Sequence, residues 1–326
     1  MVETYIITPD YNGKKFLEKY FISLFNQTYS SFRIIFVDNS PNNDSIDYIN
    51  QNYYNELKSG KIKIIKNPEN YGFAKANNQG INESFKDSEC EFIVCLNNDT
   101  EIKEDFLEKL ILMSKKHPEA GSIQSKIIWG QNTSLIDVVG IEYSINGLAF
   151  KRGAYESLDK YENEEEIMGS SPAGCLYKKK ALSDVEYENT YFDEDFFAYC
   201  EDTDLALRLR RAGWKSYYCP KAVMYHYRGG TNEPLSDFTI YHTWRNSTWT
   251  IFKNLPKRYI IKKFPLLFAS EVAQISINLV RRKTIILKAK WDAYKEIRHF
   301  MNKYKTIKKN VPFEDLEKLF IYKWKP

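Results

Sequence analysis

Glu91-Phe92-Ile93-Val94-Cys95-Leu96 runs directly into Asn97-Asn98-Asp99-Thr100. A short apolar run that stops at a cluster of turn-forming polar residues reads as a strand buried on both faces. The chain before it repeats the pattern. Residues 4–8 form a β-rich run closed by Pro9-Asp10, and residues 32–37 form an apolar run closed by Asp38-Asn39-Ser40. Residues 61–65 read as a third strand, while residues 16–25, 45–57 and 74–85 carry helical spacing. Strands alternating with helices predict an α/β fold with a mostly parallel sheet flanked by helices. Ligands of such sheets bind beyond the carboxyl ends of the strands, where the unusual polar residues of this chain fall.

After about residue 120 the alternation loosens. Residues 136–155 are Gly-rich and predict a β-hairpin, and residues 159–166 predict an acidic, exposed loop. Residues 202–212 predict a helix stopped by Gly213. From residue 253 the chain becomes helical and basic. Residues 253–310 hold 16 Lys/Arg against three Asp/Glu, while residues 1–252 hold 28 against 37, so the total of +4 hides an acidic body and a basic extension.

The five cysteines show no C-x-x-C spacing and read as reduced structural thiols. No basic segment followed by an apolar run opens the chain, so no secretory signal is expected. Residues 264–280, the most apolar helical stretch, are interrupted by Glu271 and fall short of the roughly 20 apolar residues of a spanning helix.

Five constellations carry chemistry. Thr8-Pro9-Asp10-Tyr11-Asn12 and Val37-Asp38-Asn39-Ser40 deliver two carboxylates to one sheet edge, where they can accept from a base edge or a ribose hydroxyl; ordinary turn residues after strands read the same way. The segment Asn67 to Asn78, with Asn70, Gly72 and Asn77, leads into a helix N-terminus suited to an anion, or is a plain helix start. Asp99, after Asn97-Asn98, can bridge a divalent cation to phosphate oxygens, or can serve as a cap. Glu201-Asp202 lies among aromatics just before a helix, a setting that shifts carboxylate pKa values and supplies a general base. Asp204 and Arg208 in the same segment read as a helical i,i+4 pair. His226, followed by Gly229-Gly230, is either structural or a further metal ligand.

Taken in order, Asp10-Tyr11-Asn12, Val37-Asp38-Asn39-Ser40, Asn70-Tyr71-Gly72-Phe73-Ala74, Leu96-Asn97-Asn98-Asp99-Thr100, the Phe197–Arg208 stretch and Arg245-Asn246 resemble the inverting family 2 glycosyltransferases, especially their bacterial rhamnosyltransferase-like branch. The resemblance covers roughly residues 3–250. It implies a GT-A fold, Rossmann-like, with a nucleotide-sugar half at about 1–120, an acceptor half at about 121–252, and the basic helical extension of 253–326 outside it. It implies a nucleotide-diphosphate sugar donor, a glycan or lipid-linked saccharide acceptor, Mg2+ or Mn2+, and direct displacement with inversion. By motif, Asp202 is the expected general base, and Asp99 with His226 the expected metal ligands. Thr8, Asp10, Asn12, Asp38, Asn70, Gly72 and Asn77 are expected on the donor side, with Asn97, Asn98 and Arg245. Gly174 and Glu201 are expected near the acceptor. One departure is notable: the family's metal motif is often Asp-x-Asp, and here Asn97-Asn98-Asp99 retains one carboxylate.

Two rival readings differ in class. A sugar-nucleotide pyrophosphorylase would show a Gly-rich basic phosphate loop near the N-terminus, which residues 8–13 are not. A non-catalytic nucleotide-sugar-binding module has no need for both Asp99 and Glu201-Asp202. The basic extension is expected to meet an anionic membrane surface through residues 253–310 rather than nucleic acid, placing the protein on the inner face of the cell membrane. Packing on the catalytic domain, or an oligomer contact, is the alternative use of those helices.

Overall fold

The computed structural model describes residues 3–227 and 235–323, so Gly229-Gly230 lie outside the described residues. The strands are β1 Thr4–Asp10, β2 Phe32–Asp38, β3 Ile62–Lys66, β4 Phe92–Leu96, β5 Thr100–Ile102, β6 Ala120–Trp129, β7 Ile136–Val138, β8 Ile141–Tyr143, β9 Ala149–Lys151, β10 Glu165–Ile167, β11 Gly174–Lys178 and β12 Lys215–His226. The helices are α1 Leu17–Phe25, α2 Asp44–Asn52, α3 Tyr54–Lys58, α4 Gly72–Ser84, α5 Phe106–Lys116, α6 Lys179–Asp184, α7 Glu201–Ala212, α8 Asp237–Asn254, α9 Lys257–Lys262, α10 Phe264–Val280, α11 Ile285–Lys295, α12 Ile297–Lys303 and α13 Phe313–Glu317.

The main sheet runs β3-β2-β1-β4-β11-β6-β12-β10. Its first four strands are parallel, β11 inserts antiparallel between β4 and β6, and β12 returns parallel to β6. Alternation along the strands explains the two faces of the core. Ile6, Ile34, Phe36 and Val94 meet Leu17, Phe21 and Leu110 from α1 and α5. Ile7, Val37, Ile93 and Cys95 turn the other way, onto Ala74, Ile81, Leu205 and Leu209 from α4 and α7.

Three expectations change in detail. The helix expected over 45–57 is two helices, broken where Tyr53 takes φ −133, ψ 34. The acidic segment 159–166 is not simply an exposed loop. Its end forms β10 against β12, because Glu166 neutralises Arg210 at 2.6 Å and Lys215 at 2.9 Å. The boundary expected at 252/253 falls inside α8, whose Lys253 pairs with Asp193 at 2.7 Å and Asp204 at 2.8 Å in the body of the domain. Beyond it, α11 and α12 pack on α8, α10 packs on α9 and α11, and α13 packs on α7. Lys290 of α11, 2% exposed, forms an ion pair with Glu271 of α10 at 2.8 Å. That pairing explains the charge inside the most apolar helix. Among the described residues no helix is long and apolar enough to cross a membrane.

Candidate active site

The parallel strands carry their carboxyl ends to one edge. β1 and β2 are in register, so Asp10 lies beside Asp38, and Asp38 lies beside Lys66 of β3. The Asp38 carboxylate is buried, accepts from the Ser40 amide at 2.8 Å and pairs with Lys66 Nζ at 2.9 Å. Asp10 Oδ2 accepts from Ser40 and Ser45 hydroxyls at 3.1 and 2.9 Å, and its Oδ1 accepts from Asn98 Nδ2. Burial outweighs these donors and pushes the Asp10 carboxyl up to about 6. Asp10 therefore latches β1 to the loop after β4 and is not available to a ligand. Thr8 departs from its expected place as well: it is fully buried and its hydroxyl is bonded to Tyr20, on the seam between sheet and α1. The Asn12 amide donates to Ser40 Oγ at 2.8 Å, tightening the same edge.

The loop into α4 is held from the far side of the cleft. Asn70 Oδ1 accepts from the Gly72 amide at 2.9 Å, and the Gly72 carbonyl accepts from Asn39 at 3.1 Å. Gly72 has φ +82, and a Cβ there would lie 2.6 Å from Phe197, so neither the backbone nor the space admits a side chain. The Ala74 amide donates to the Phe197 carbonyl at 3.1 Å. Asn77 is buried, with Nδ2 on the Phe73 carbonyl at 2.9 Å and its Oδ1 without a partner. Its neighbour Asn78 ties α4 to the 191–194 segment, donating to the Phe192 carbonyl at 2.7 Å and accepting from two amides.

At the end of β4, Asn97 places its Oδ1 in a buried position without a protein partner. Asp99 Oδ1 stands 3.1 Å from His226 Nε2, because β12 pairs with β5 and sets His226 opposite Thr100. The other ring nitrogen, Nδ1, is 2.6 Å from Asp137 Oδ2. Asp137 is fully buried and its Oδ1 lies 3.5 Å from Lys151 Nζ. Burial alone would raise the Asp99 carboxyl, but the His226 imidazole and the Lys151 charge hold it below its ordinary value. With an Nδ1 proton given to Asp137, the His226 Nε2 lone pair faces a carboxylate oxygen, and that arrangement is stable only with a proton or a cation between them. One imidazole nitrogen and one carboxylate oxygen at a sheet edge suit Mg2+ or Mn2+, which take their remaining ligands from phosphate and water. No larger cluster of His, Cys, Asp or Glu gathers as a preformed cage among the described residues.

The opposite wall is the turn before α7. Phe197, Tyr199 and Cys200 have φ of 64, 69 and 67, a left-handed run unusual for side chains of this size. Asn246, fully buried on α8, holds it there: its Nδ2 lies 2.9, 2.9 and 2.7 Å from the carbonyls of Phe196, Ala198 and Tyr199. Arg245 braces the same turn, with its guanidinium 3.2 Å from the Phe196 carbonyl and 4.1 Å from the Trp249 ring centre. Its expected place among donor contacts is thus taken up by backbone support. Asp204 is bound by Arg208 at 2.8 Å, the helical pair the spacing implied.

The turn presents Glu201 and Asp202 at the first turn of α7. Asp202 is half-buried, and its Oδ1 accepts from the Thr203 amide at 2.6 Å and the Thr203 hydroxyl at 3.2 Å. Burial raises its pKa, and the Thr203 donors and the Lys151 charge only partly offset this. Burial and the Asp202 charge push Glu201 well up, and its Oε2 is buried without a partner. Lys151, whose Nζ lies 3.5 Å from Asp137 Oδ1, lowers the carboxyls of both Asp99 and Asp202. Gly174 sits beside Leu96 in register, and a Cβ there would collide with Met224.

Sequence reasoning missed Asp137 and Lys151. A lone Asp between Ile136 and Val138 in an apolar run was the available signal for the first; nothing near Lys151 marks it.

Comparison with known proteins gives this arrangement its class. The fold superposes on GalNAc-T7 solved with UDP, GalNAc and Mn2+, with TM-score 0.64 and 14% identity over 94% of this chain, which spans 57% of that one. It superposes also on a mannosyltransferase of Pyrobaculum calidifontis solved with GDP-Man and Mn2+, with TM-score 0.55 and 12% identity over 94% of this chain and 84% of that one. The fold is the GT-A glycosyltransferase fold. Residues 5–186 match the model of glycosyl transferase family 2, and the chain belongs to that family. A relative in Mycobacterium tuberculosis, an N-acetylglucosaminyl-diphospho-decaprenol L-rhamnosyltransferase, is 22% identical over 260 residues, covering 73% of this chain and 80% of its own. The protein is a glycosyltransferase.

Proposed function

We propose that this enzyme transfers a sugar, with inversion, from a nucleotide-diphosphate donor to a glycan or lipid-linked saccharide during assembly of a surface polysaccharide at the inner face of the membrane. dTDP-rhamnose or a UDP-sugar is the proposed donor, in line with the rhamnosyltransferase relative. One observation carries the reading: at the end of β4, Asp99 stands 3.1 Å from His226 Nε2, and Asn97, two residues before it, holds a buried Oδ1 without a partner, a set suited to a cation and a donor hydroxyl.

Each residue then has a task. Asp202 accepts the proton of the acceptor hydroxyl as it attacks; its raised pKa makes it a better base than an ordinary aspartate, and its Oδ2 has no protein partner among the described residues. Asp99 and His226 hold Mg2+ or Mn2+, with Asp137 fixing the imidazole tautomer. A bound cation supplies charge neutralisation for the departing diphosphate. Asp38 and the Asn70–Gly72 loop position the nucleotide, and Asn97 Oδ1, buried without a partner, accepts from a donor hydroxyl. Gly174 and Glu201 border the acceptor. The developing sugar cation is oxocarbenium-like, as in other glycosyl transfers.

The test is a screen of nucleotide sugars by thermal shift and donor hydrolysis, with Mg2+, Mn2+ or chelator. Stabilisation and turnover by one nucleotide-diphosphate sugar, lost in chelator and restored by metal, is expected. Full turnover in excess chelator would remove the metal from the reading.

A further inference from the structure

Helix α10 is turned inside out. The residues facing the protein are Ser270, Gln274 and Asn278, at 3%, 1% and 2% exposure, with Leu267. Those facing water are Phe264 and Phe268, each at 58%, Val272 at 46%, Leu279 at 41% and Val280 at 85%. The buried Lys290 explains the inversion. Its ammonium lies 2.7 Å from Gln274 Oε1, 3.0 Å from Thr248 Oγ1 and 3.0 Å from the Trp244 carbonyl, besides pairing with Glu271. A buried cation requires polar neighbours, so α10 turns its polar residues inward and its apolar ones to the outside.

The exposed apolar surface continues beyond α10. Leu287, Trp291 and Tyr294 of α11 recur at i, i+4 and i+7, all exposed, and the Tyr294 hydroxyl donates to Glu271 Oε2 at 3.1 Å, so the two stripes adjoin. Ile261, before α10, is 64% exposed. Lys257, Lys262, Arg281, Arg282 and Lys288 stand exposed around this surface and form no ion pair among the described residues.

We infer that this face lies in the plane of an anionic lipid surface, with the apolar stripe in the acyl boundary and the cations among the headgroups. Two aromatic stripes bordered by unpaired cations match that boundary, where aromatic rings and basic side chains both find partners. A second copy of the chain fits less well, because a two-fold contact would set the cationic border against itself. The surface deepens the proposed reaction, since a lipid-linked acceptor and the enzyme would then share one plane, but its evidence is separate from the active site.

The experiment is sedimentation of the full chain with phosphatidylcholine vesicles, with and without phosphatidylglycerol, at low and high salt. The variants are Phe264→Ser with Phe268→Ser, and Arg281→Glu with Arg282→Glu. The wild type is expected to bind the anionic vesicles, and each double variant to lose about tenfold or more of that binding, with Tm and donor hydrolysis kept. Equal binding by the phenylalanine variant, or no binding by the wild type at low salt, overturns the proposal. So does a dimer in light scattering that the phenylalanine variant breaks while vesicles are ignored. A chain that binds vesicles yet turns over no nucleotide sugar would leave this surface standing and remove the reaction instead.

Discussion

Asp137 and His226 share a 2.6 Å hydrogen bond between Oδ2 and Nδ1, on the side of the imidazole away from Asp99. The bond fixes which ring nitrogen faces the cleft. Asp137→Asn should lower Mn2+ affinity about 10–100-fold, as loss of such a supporting carboxylate does elsewhere, while donor binding in saturating metal recovers. Calorimetric titration of metal into wild type and variant reads this directly. Equal affinities would make the bond a fold contact only.

Asp202→Asn should keep the fold and donor binding but lose transfer by about 10²-fold or more. The wild-type rate should fall on the acid side with a midpoint above the ordinary aspartate range, since burial raises this carboxyl and a base must be deprotonated. The variant's residual rate should lack that limb. A pH–rate profile unchanged in shape would take the proton-accepting role away from Asp202.

Asn246→Ala removes the two-hydrogen donor shared by the carbonyls of Phe196, Ala198 and Tyr199 in the left-handed turn, of which Phe196 keeps Arg245. Leaving buried acceptors unpaired should cost about 2–3 kcal/mol, read as a lower Tm. Turnover should fall further than stability alone explains, because the turn sets the position of Asp202. A variant with lower Tm but wild-type kcat would show that the turn holds its shape without the clamp.

Asp10 offers a pH test of stability. Its folded pKa of about 6 lies above its ordinary 3.8, so the folded state holds this proton more tightly than the unfolded chain. Its contribution is fully present below about pH 4 and is lost as the pH rises through about 6. Asp10→Asn, which keeps the shape and cannot ionise, should flatten this part of the stability profile and leave the variant relatively more stable at pH 8. Parallel profiles for the two proteins in denaturant titrations between pH 4 and 8 would count against this assignment.

Much of the site was legible because strand ends announce themselves. Asp38 and Asp99 each follow an apolar run, and Gly213, at φ 102, ends α7 where its position implied. What the sequence hid is pairing across distance. Asp137 and His226 are 89 residues apart, and nothing local tells either of the other. Thr8 and Asp10 looked like ligands because exposed and buried polar residues have the same letters; only the contact of Thr8 with Tyr20 and those of Asp10 with Ser40, Ser45 and Asn98 show that they are engaged by the fold. The orientation of α10 likewise depends on distant pairing: its polar stripe faces inward because Lys290, on another helix, lies there.

Lys253 bears on how such an enzyme can be inherited. It lies past the last family motif, yet it neutralises Asp193 and Asp204 beneath the active-site turn. A chain ending at residue 252 would leave Asp193 without Lys253 and Lys303 and Asp204 with Arg208 alone, a loss of the kind that costs about 3–5 kcal/mol. Recombination that exchanged the helical tail as a unit at that boundary would thus yield a catalytic half unable to hold its own shape. Lys303 of α12 also pairs with Asp193 at 2.7 Å, so a workable crossover lies outside the whole α7–α12 span, and acceptor chemistry and tail pass to descendants as one block.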